Sequence, residues 1–195
     1  MSAILKSPCR KQVARKPANP LLDAALDLAE RGFSVLPLHP RSKIPAMRRC
    51  YEKATADQEK IRDWWEREPD LNIGVVPAAR GLCVIDVDGA LGNESLRKLE
   101  ALLGKLPSPT VSVFTPNSGW HLYFKCDERF PSYNGVASGI DIRSAGGHCV
   151  VPPSRLLDGD YLFAPGLSLA EIEPAILPDL WVKFFALPRG GGDDY

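Results

Sequence analysis

The chain has 195 residues, 45% hydrophobic and 25% charged, which excludes a collagen-like, coiled-coil or mostly disordered protein and fits one domain, or one domain in two lobes. Lys+Arg and Asp+Glu each number 24, for a formal charge of zero. Five of the bases (Lys6, Arg10, Lys11, Arg15 and Lys16) lie in residues 1–17 with no acid among them, so the remainder is acidic; this argues against a protein that coats nucleic acid by charge alone, while leaving room for a local basic stripe.

Residues 1–18 read as a flexible basic arm. Asn19-Pro20 supplies a helix cap and a first-turn proline. Leu21, Leu22, Ala25, Leu28 and Ala29 follow at helical spacing, and Gly32 ends the helix. Phe33–Leu38 reads as a strand and residues 39–53 as a loop rich in Pro, Arg and Lys. Thr55-Ala56-Asp57-Gln58 has the form of a capping box. It opens a helix carrying Ile61, Trp64 and Trp65, which Pro69 stops. Two strands, Asn72–Val76 and Leu82–Val87, come next, then a polar helix over Leu91–Leu103. Further strands are expected near Thr110–Thr115, His121–Lys125, Ile140–Arg143 and Cys149–Val151. Ser168 opens a last helical segment running to Phe185, interrupted at Pro174 and Pro178. Residues 188–195 read as a Gly-rich tail, leaving 19–187 as the folded domain.

Four segments carry candidate chemistry. In Leu82-Cys83-Val84-Ile85-Asp86-Val87-Asp88-Gly89, strand alternation puts Asp86 and Asp88 on one face. Two carboxylates so placed repel unless a cation lies between them, and hard divalent ions take such oxygens; the alternative is a strand ending in a polar turn. In Ile140-Asp141-Ile142-Arg143 the isoleucines share one face, and Asp141 and Arg143 the other. That pair is either a structural ion pair or a third acid beside a phosphate-binding guanidinium, flanked by the glycine-containing Ser138-Gly139 and Ser144-Ala145-Gly146-Gly147. The turn Thr115–Gly119 leads into His121, which either meets a phosphate near free backbone amides or caps a surface hairpin. Lys43, in Arg41-Ser42-Lys43-Ile44-Pro45, is either a solvated charge or a point charge for a triphosphate. Trp64-Trp65 stack on bases or fill the core. His39, His148 and the cysteines are read as structural.

No run approaches the ~18 apolar residues of a membrane span, and no apolar h-region follows the basic N-terminus. The five cysteines (Cys9, Cys50, Cys83, Cys126 and Cys149) are odd in number, widely spaced and without a C-x-x-C. They argue against a disulfide framework or zinc ribbon and for a reducing, cytoplasmic compartment.

In order along the chain, the motifs are Gly-Phe-x-Val-x-Pro-Leu (Gly32–Leu38), Lys-x-Pro (Lys43–Pro45), Ala-Thr-x-Asp with Trp-Trp (Ala54–Trp65), Asn-Ile-Gly (Asn72–Gly74), Gly-Leu-x-Val-Ile-Asp-Val-Asp (Gly81–Asp88), Gly-x-His-Leu-Tyr-Phe (Gly119–Phe124), Gly-Ile-Asp-Ile-Arg (Gly139–Arg143) and Val-Pro-Pro-Ser (Val151–Ser154). Together they make residues 20–165 resemble the bifunctional DNA primase/polymerase (Prim-Pol) domain of the archaeo-eukaryotic primase superfamily. The resemblance implies an α+β fold with a primase-type core, an RRM-like mixed sheet packed against an N-terminal α/β lobe. It implies Asp86, Asp88 and Asp141 as metal ligands for a two-ion Mg²⁺ or Mn²⁺ site, and His121 as the catalytic histidine that contacts the incoming nucleotide. Lys43, Arg143 and the turn Ser118-Gly119 would join His121 in the nucleotide pocket; the family's usual Gly-Gly pair is Ser118-Gly119 here, and the serine retains a phosphate donor. The activity implied is template-directed polymerisation of (d)NTPs on single-stranded DNA, with the basic arm and the 41–53 loop on template phosphates. A helicase in trans or on a longer parent chain, and a phage, plasmid or mobile-element host, follow by the same analogy. This sequence has no G-x-x-x-x-G-K-[ST] of its own. The rival readings are a non-catalytic nucleic-acid-binding module of a replication protein and a metal-dependent nuclease or phosphotransferase.

Overall fold

The structure, a computed structural model, describes residues 18–126 and 131–187. The expected basic arm, up to residue 17, and the tail 188–195 lie outside the described residues. Asn19 opens α1 (Pro20–Glu30) by accepting from the amides of Leu21 and Leu22, and Pro20 sits where a missing N–H costs nothing. Gly32, at φ +82°, turns the chain into β1 (Ser34–Leu38). The expected 39–53 loop contains one helical turn, α2 (Cys50–Lys53), too short for a hydrophobic period to announce it.

The start of α3 (Gln58–Arg67) corrects the capping-box reading. Asp57 is the cap, accepting from the amides of Glu59 and Lys60, whereas Thr55 accepts only from the amide of Asp57. A carboxylate gains more than a hydroxyl from the helix dipole. Next come β2 (Asn72–Val76), a 3₁₀ turn (Pro77–Arg80), β3 (Leu82–Val87) and α4 (Gly89–Leu103). The remaining elements are β4 (Ser112–Thr115), β5 (Gly119–Lys125), β6 (Tyr133–Ala137), β7 (Ile140–Arg143), β8 (Cys149–Val150), β9 (Leu162–Phe163), β10 (Ala175–Ile176) and α5 (Asp179–Phe185).

Two differences from the sequence expectation have local causes. Ser168–Phe185 is not one interrupted helix: Ala175–Ile176 pairs in parallel with Phe124–Lys125 of β5, and only Asp179–Phe185 is helical. Pro174 and Pro178 each remove an amide and restrict the residue before them, leaving room for two extended residues. β6 has no alternating signal; its sequence holds Asn134 and Gly135, and its register against β7 is irregular.

The architecture is mixed α+β. A small antiparallel sheet, β1-β2-β8, faces a seven-stranded sheet ordered β6-β7-β3-β5-β4-β9, with β10 beside β5. One face of the large sheet, through Val84, Val111, Val113 and Tyr123, shares a core with α1, α3 and the small sheet. The other, through Cys83, Ile85, Val87, Phe124, Ile140 and Ile142, packs with Leu99 of α4 and Trp181 and Phe185 of α5. β3 is therefore buried on both sides, which is why it reads as an unbroken apolar run until its end. Among the described residues no helix is long and apolar enough to cross a membrane.

Candidate active site

The site forms at the C-terminal end of β3. This strand is hydrogen-bonded between β5 and β7, in a register that sets Asp86 opposite His121 on one side and Asp141 on the other. Directly opposed residues share a face with Cβ atoms ~5 Å apart, so three residues distant in sequence form one row. Asp88 follows the strand at the first turn of α4. Its amide donates to the Gly139 carbonyl, and its carboxylate caps no helix amide, leaving the side chain to the cluster. Asp86, Asp88 and Asp141 each offer an oxygen, all within 4.8 Å of one another.

The charges around them are uneven. Arg143 Nη2 donates to Asp141, Arg143 Nη1 donates to Asn134 Oδ1 at 2.6 Å, and Arg143 Nε lies 3.7 Å from Asp86. The Gly135 amide donates to the other Asp141 oxygen at 2.7 Å. His121, 4% exposed, places Nε2 3.4 Å from Asp86 Oδ1 and packs its ring against Tyr161. Its buried Nδ1 has no partner among the described residues. Burial works to raise the Asp86 carboxyl, but His121, Arg143 and Lys43 outweigh it and hold its pKa below the ordinary carboxylate value. Asp88 is shifted the other way, by burial first and then by the charges of Asp86 and Asp141, which Lys43 and His121 only partly offset. Asp88 is thus the acid whose negative charge is least compensated. Three crowded hard oxygen donors, one of them short of positive charge, fit a divalent cation.

Beside the cluster opens a cavity of about 390 Å³, whose lining includes Lys43, Tyr51, Asp86, Asp88, His121, Asn134, Arg143, His148 and Tyr161. Lys43 reaches it from the β1–α2 loop, bringing a cation from the opposite lobe. Beneath it, burial pushes the Cys149 thiol up to about 12; a thiol so protonated is no nucleophile.

The structure therefore brings Asp86, Asp88, Asp141, His121, Arg143 and Lys43 together. It does not bring Ser118 or Gly119 to the cavity wall. Ser118 is exposed at φ +56°, and Gly119 is buried where a Cβ would stand 2.3 Å from the Val87 carbonyl. His148, read from sequence as structural, is on the wall: Nε2 donates to the Lys43 carbonyl at 3.1 Å, which leaves Nδ1, 3.3 Å from the Tyr51 hydroxyl, to accept. Burial lowers its pKa, which favours the neutral ring. Tyr51, Asn134 and Tyr161 were missed. Only His148 carried a signal, its position directly after Gly146-Gly147 in the loop that follows Asp141 and Arg143.

The model of the family described as bifunctional DNA primase/polymerase, N-terminal, matches residues 25–180. No curated protein matches the chain.

Proposed function

The chain belongs to the bifunctional DNA primase/polymerase family, and from that premise we propose a template-directed nucleotidyltransferase that polymerises nucleoside triphosphates on single-stranded DNA. In this reading the large sheet is the RRM-like half of a primase-type core, and the lobe of α1, α3 and the small sheet closes over it. The observation that carries the proposal is the Asp141–Asp86–His121 row with Asp88 beside it, of which Asp86, Asp88 and His121 line a cavity that also holds Lys43 and Arg143. A binding module has no need of three converging acids.

Asp86, Asp88 and Asp141 would hold two divalent ions, which when bound neutralise the attacking 3′-oxygen and the leaving pyrophosphate. The other residues bind and orient. Lys43 and Arg143 place positive charge where the triphosphate's negative charge builds. Arg143, fixed by Asp141 and Asn134, is a pre-set fork for phosphate oxygens. His121 helps keep Asp86 ionised and aimed through its Nε2, while its Nδ1 is buried without a partner among the described residues. The turn carrying Ser118 and Gly119 abuts Gly89, at the start of α4; its part is to set the end of β3.

Incubation with a single-stranded template, labelled dNTP or NTP and Mg²⁺ or Mn²⁺ tests the proposal. Extension products are expected. A gel shift without products favours the non-catalytic module, and degraded template the nuclease. Changing Asp86 and Asp88 together to alanine lowers synthesis at least about a hundredfold while template binding stays near the parent's; synthesis at the parent rate in that variant sinks the assignment.

A further inference from the structure

A second concavity, of about 460 Å³, lies against the same loop as the first and plays no part in the chemistry above. Its lining includes Met47, Glu52, Lys53, Thr55, Lys60 and Trp64. The wall between the two concavities is α2: Tyr51 lines the acid-bearing cavity, while Glu52 and Lys53 line the second. One helical turn thus separates the acid-bearing cavity from a neighbouring groove.

The charge of this wall is unlike that of the whole chain. Residues 41–56 hold five bases, Arg41, Lys43, Arg48, Arg49 and Lys53, against one acid, Glu52, in a chain of zero net charge. All five bases are exposed. The acid is engaged internally, since Glu52 pairs with Arg49. Asp57, outside the groove's lining, is committed to capping α3 and stands 3.6 Å from Lys60 in an exposed contact, which holds Lys60 only weakly. Among the described residues Lys53 makes no ion pair. The tandem tryptophans then divide by role. Trp65 is 1% exposed, and its Nε1 donates to the Leu71 carbonyl. Trp64, only half-buried, lines the groove together with Lys53 and Lys60. An aromatic face flanked by exposed cations is the arrangement that takes a stacked base and its phosphates, independent of sequence.

We propose that the groove between α2 and α3 is the track of the single-stranded DNA template, with one base stacked on Trp64 and phosphates held by Lys53 and Lys60. The assignment rests on the polymerase reading for the word template, but its binding test does not depend on synthesis. A fluorescein-labelled oligodeoxythymidylate is titrated with the protein, without metal, over a range of salt and followed by anisotropy. Trp64→Leu, which keeps apolar packing and removes the stacking face, is expected to weaken binding roughly tenfold, and Trp64→Phe to restore most of it. K53A/K60A is expected to lower the slope of log affinity against log salt by about 1.4, the contribution of two single-strand phosphates. K98A/K105A, which removes two exposed lysines on and just after α4, is the charge-matched control and should bind like the parent. In extension assays Trp64→Leu should raise the template KM and leave kcat at saturating template unchanged. Parental affinity and salt slope in Trp64→Leu and K53A/K60A overturn the groove and leave the active site standing. A loss that Trp64→Phe does not repair overturns the stacking. Failure of the parent itself to bind the oligonucleotide overturns the groove and the nucleic-acid reading together.

Discussion

Asp88 is the residue at which the electrostatics of the site can be measured without substrate. Its pKa is raised by burial and by the neighbouring charges of Asp86 and Asp141. The folded chain therefore holds the Asp88 proton more tightly than the unfolded chain does. The ionised carboxylate subtracts stability above the raised pKa, and the penalty vanishes once pH falls below the unfolded value. In metal-free protein, Asp88→Asn is expected to raise the melting temperature at pH 7 by about a degree or two, a small gain because the residue is exposed. The gain should shrink as pH falls into the carboxylate range. Melting curves in chelator across pH measure it, and an Asp88→Asn protein that melts below the parent at pH 7 contradicts the crowding. At this scale the sequence showed a good deal: Asp86 and Asp88 are one strand step apart, and alternation alone puts them on one face. It did not show Tyr51, Asn134 or Tyr161, because a single polar or aromatic residue in a one-turn helix, an irregular edge strand or a loop carries no period that assigns it a side.

Among the elements, α3 shows how local rules compete. Thr55 and Asp57 both have side chains that cap helices, and sequence spacing favoured Thr55 through its partner Gln58. The structure uses Asp57, whose carboxylate reaches two amides. Asp57→Ala is accordingly expected to destabilise the protein, and Thr55→Ala distinctly less; urea denaturation of the two variants decides between the caps, and the reverse order restores the box. The same helix holds Trp65 wholly inside the core, so Trp65→Ala should cost about 3–5 kcal/mol, far more than any change at Trp64. Strands with a clear apolar pattern were readable: β2, β3 and β7 have the bounds the pattern gave, and the two-residue β8 lies within the strand expected at Cys149–Val151. Those without one were not. β6 is an irregular edge strand against β7, and β9 and β10 are two-residue strands held by partners distant in sequence, which propensity alone does not create.

For the whole molecule, the site is a product of two lobes. The acids stand on the large sheet, while Lys43 and Tyr51 come from the loop after β1 in the other lobe. His148, at the end of the β7–β8 loop, joins them by bonding to Lys43 and Tyr51. A ligand bound to the acids of the native state, and not to the unfolded chain, stabilises the fold by mass action. Mn²⁺ at about a hundred times its dissociation constant should therefore raise the parent's melting temperature by about 5–10 °C, and chelator should reverse it. The D86A/D88A variant should show no shift. An equal shift in that variant places the ion elsewhere and removes the acid cluster from the proposal.

Taken alone, the sequence determined the identities of the acids, the strand that carries Asp86 and ends just before Asp88, and the ordered motifs that mark the family, because alternation and local spacing act over a few residues. The tertiary structure decided the rest. Only the pairing of β3 between β5 and β7 sets Asp141 and His121 beside Asp86, since register between strands depends on contacts across the chain. Only the packing of the two lobes brings Lys43 and His148 to the same cavity and leaves Trp64 facing a groove while Trp65 is buried, since burial is a property of what lies opposite a residue and not of the residue itself.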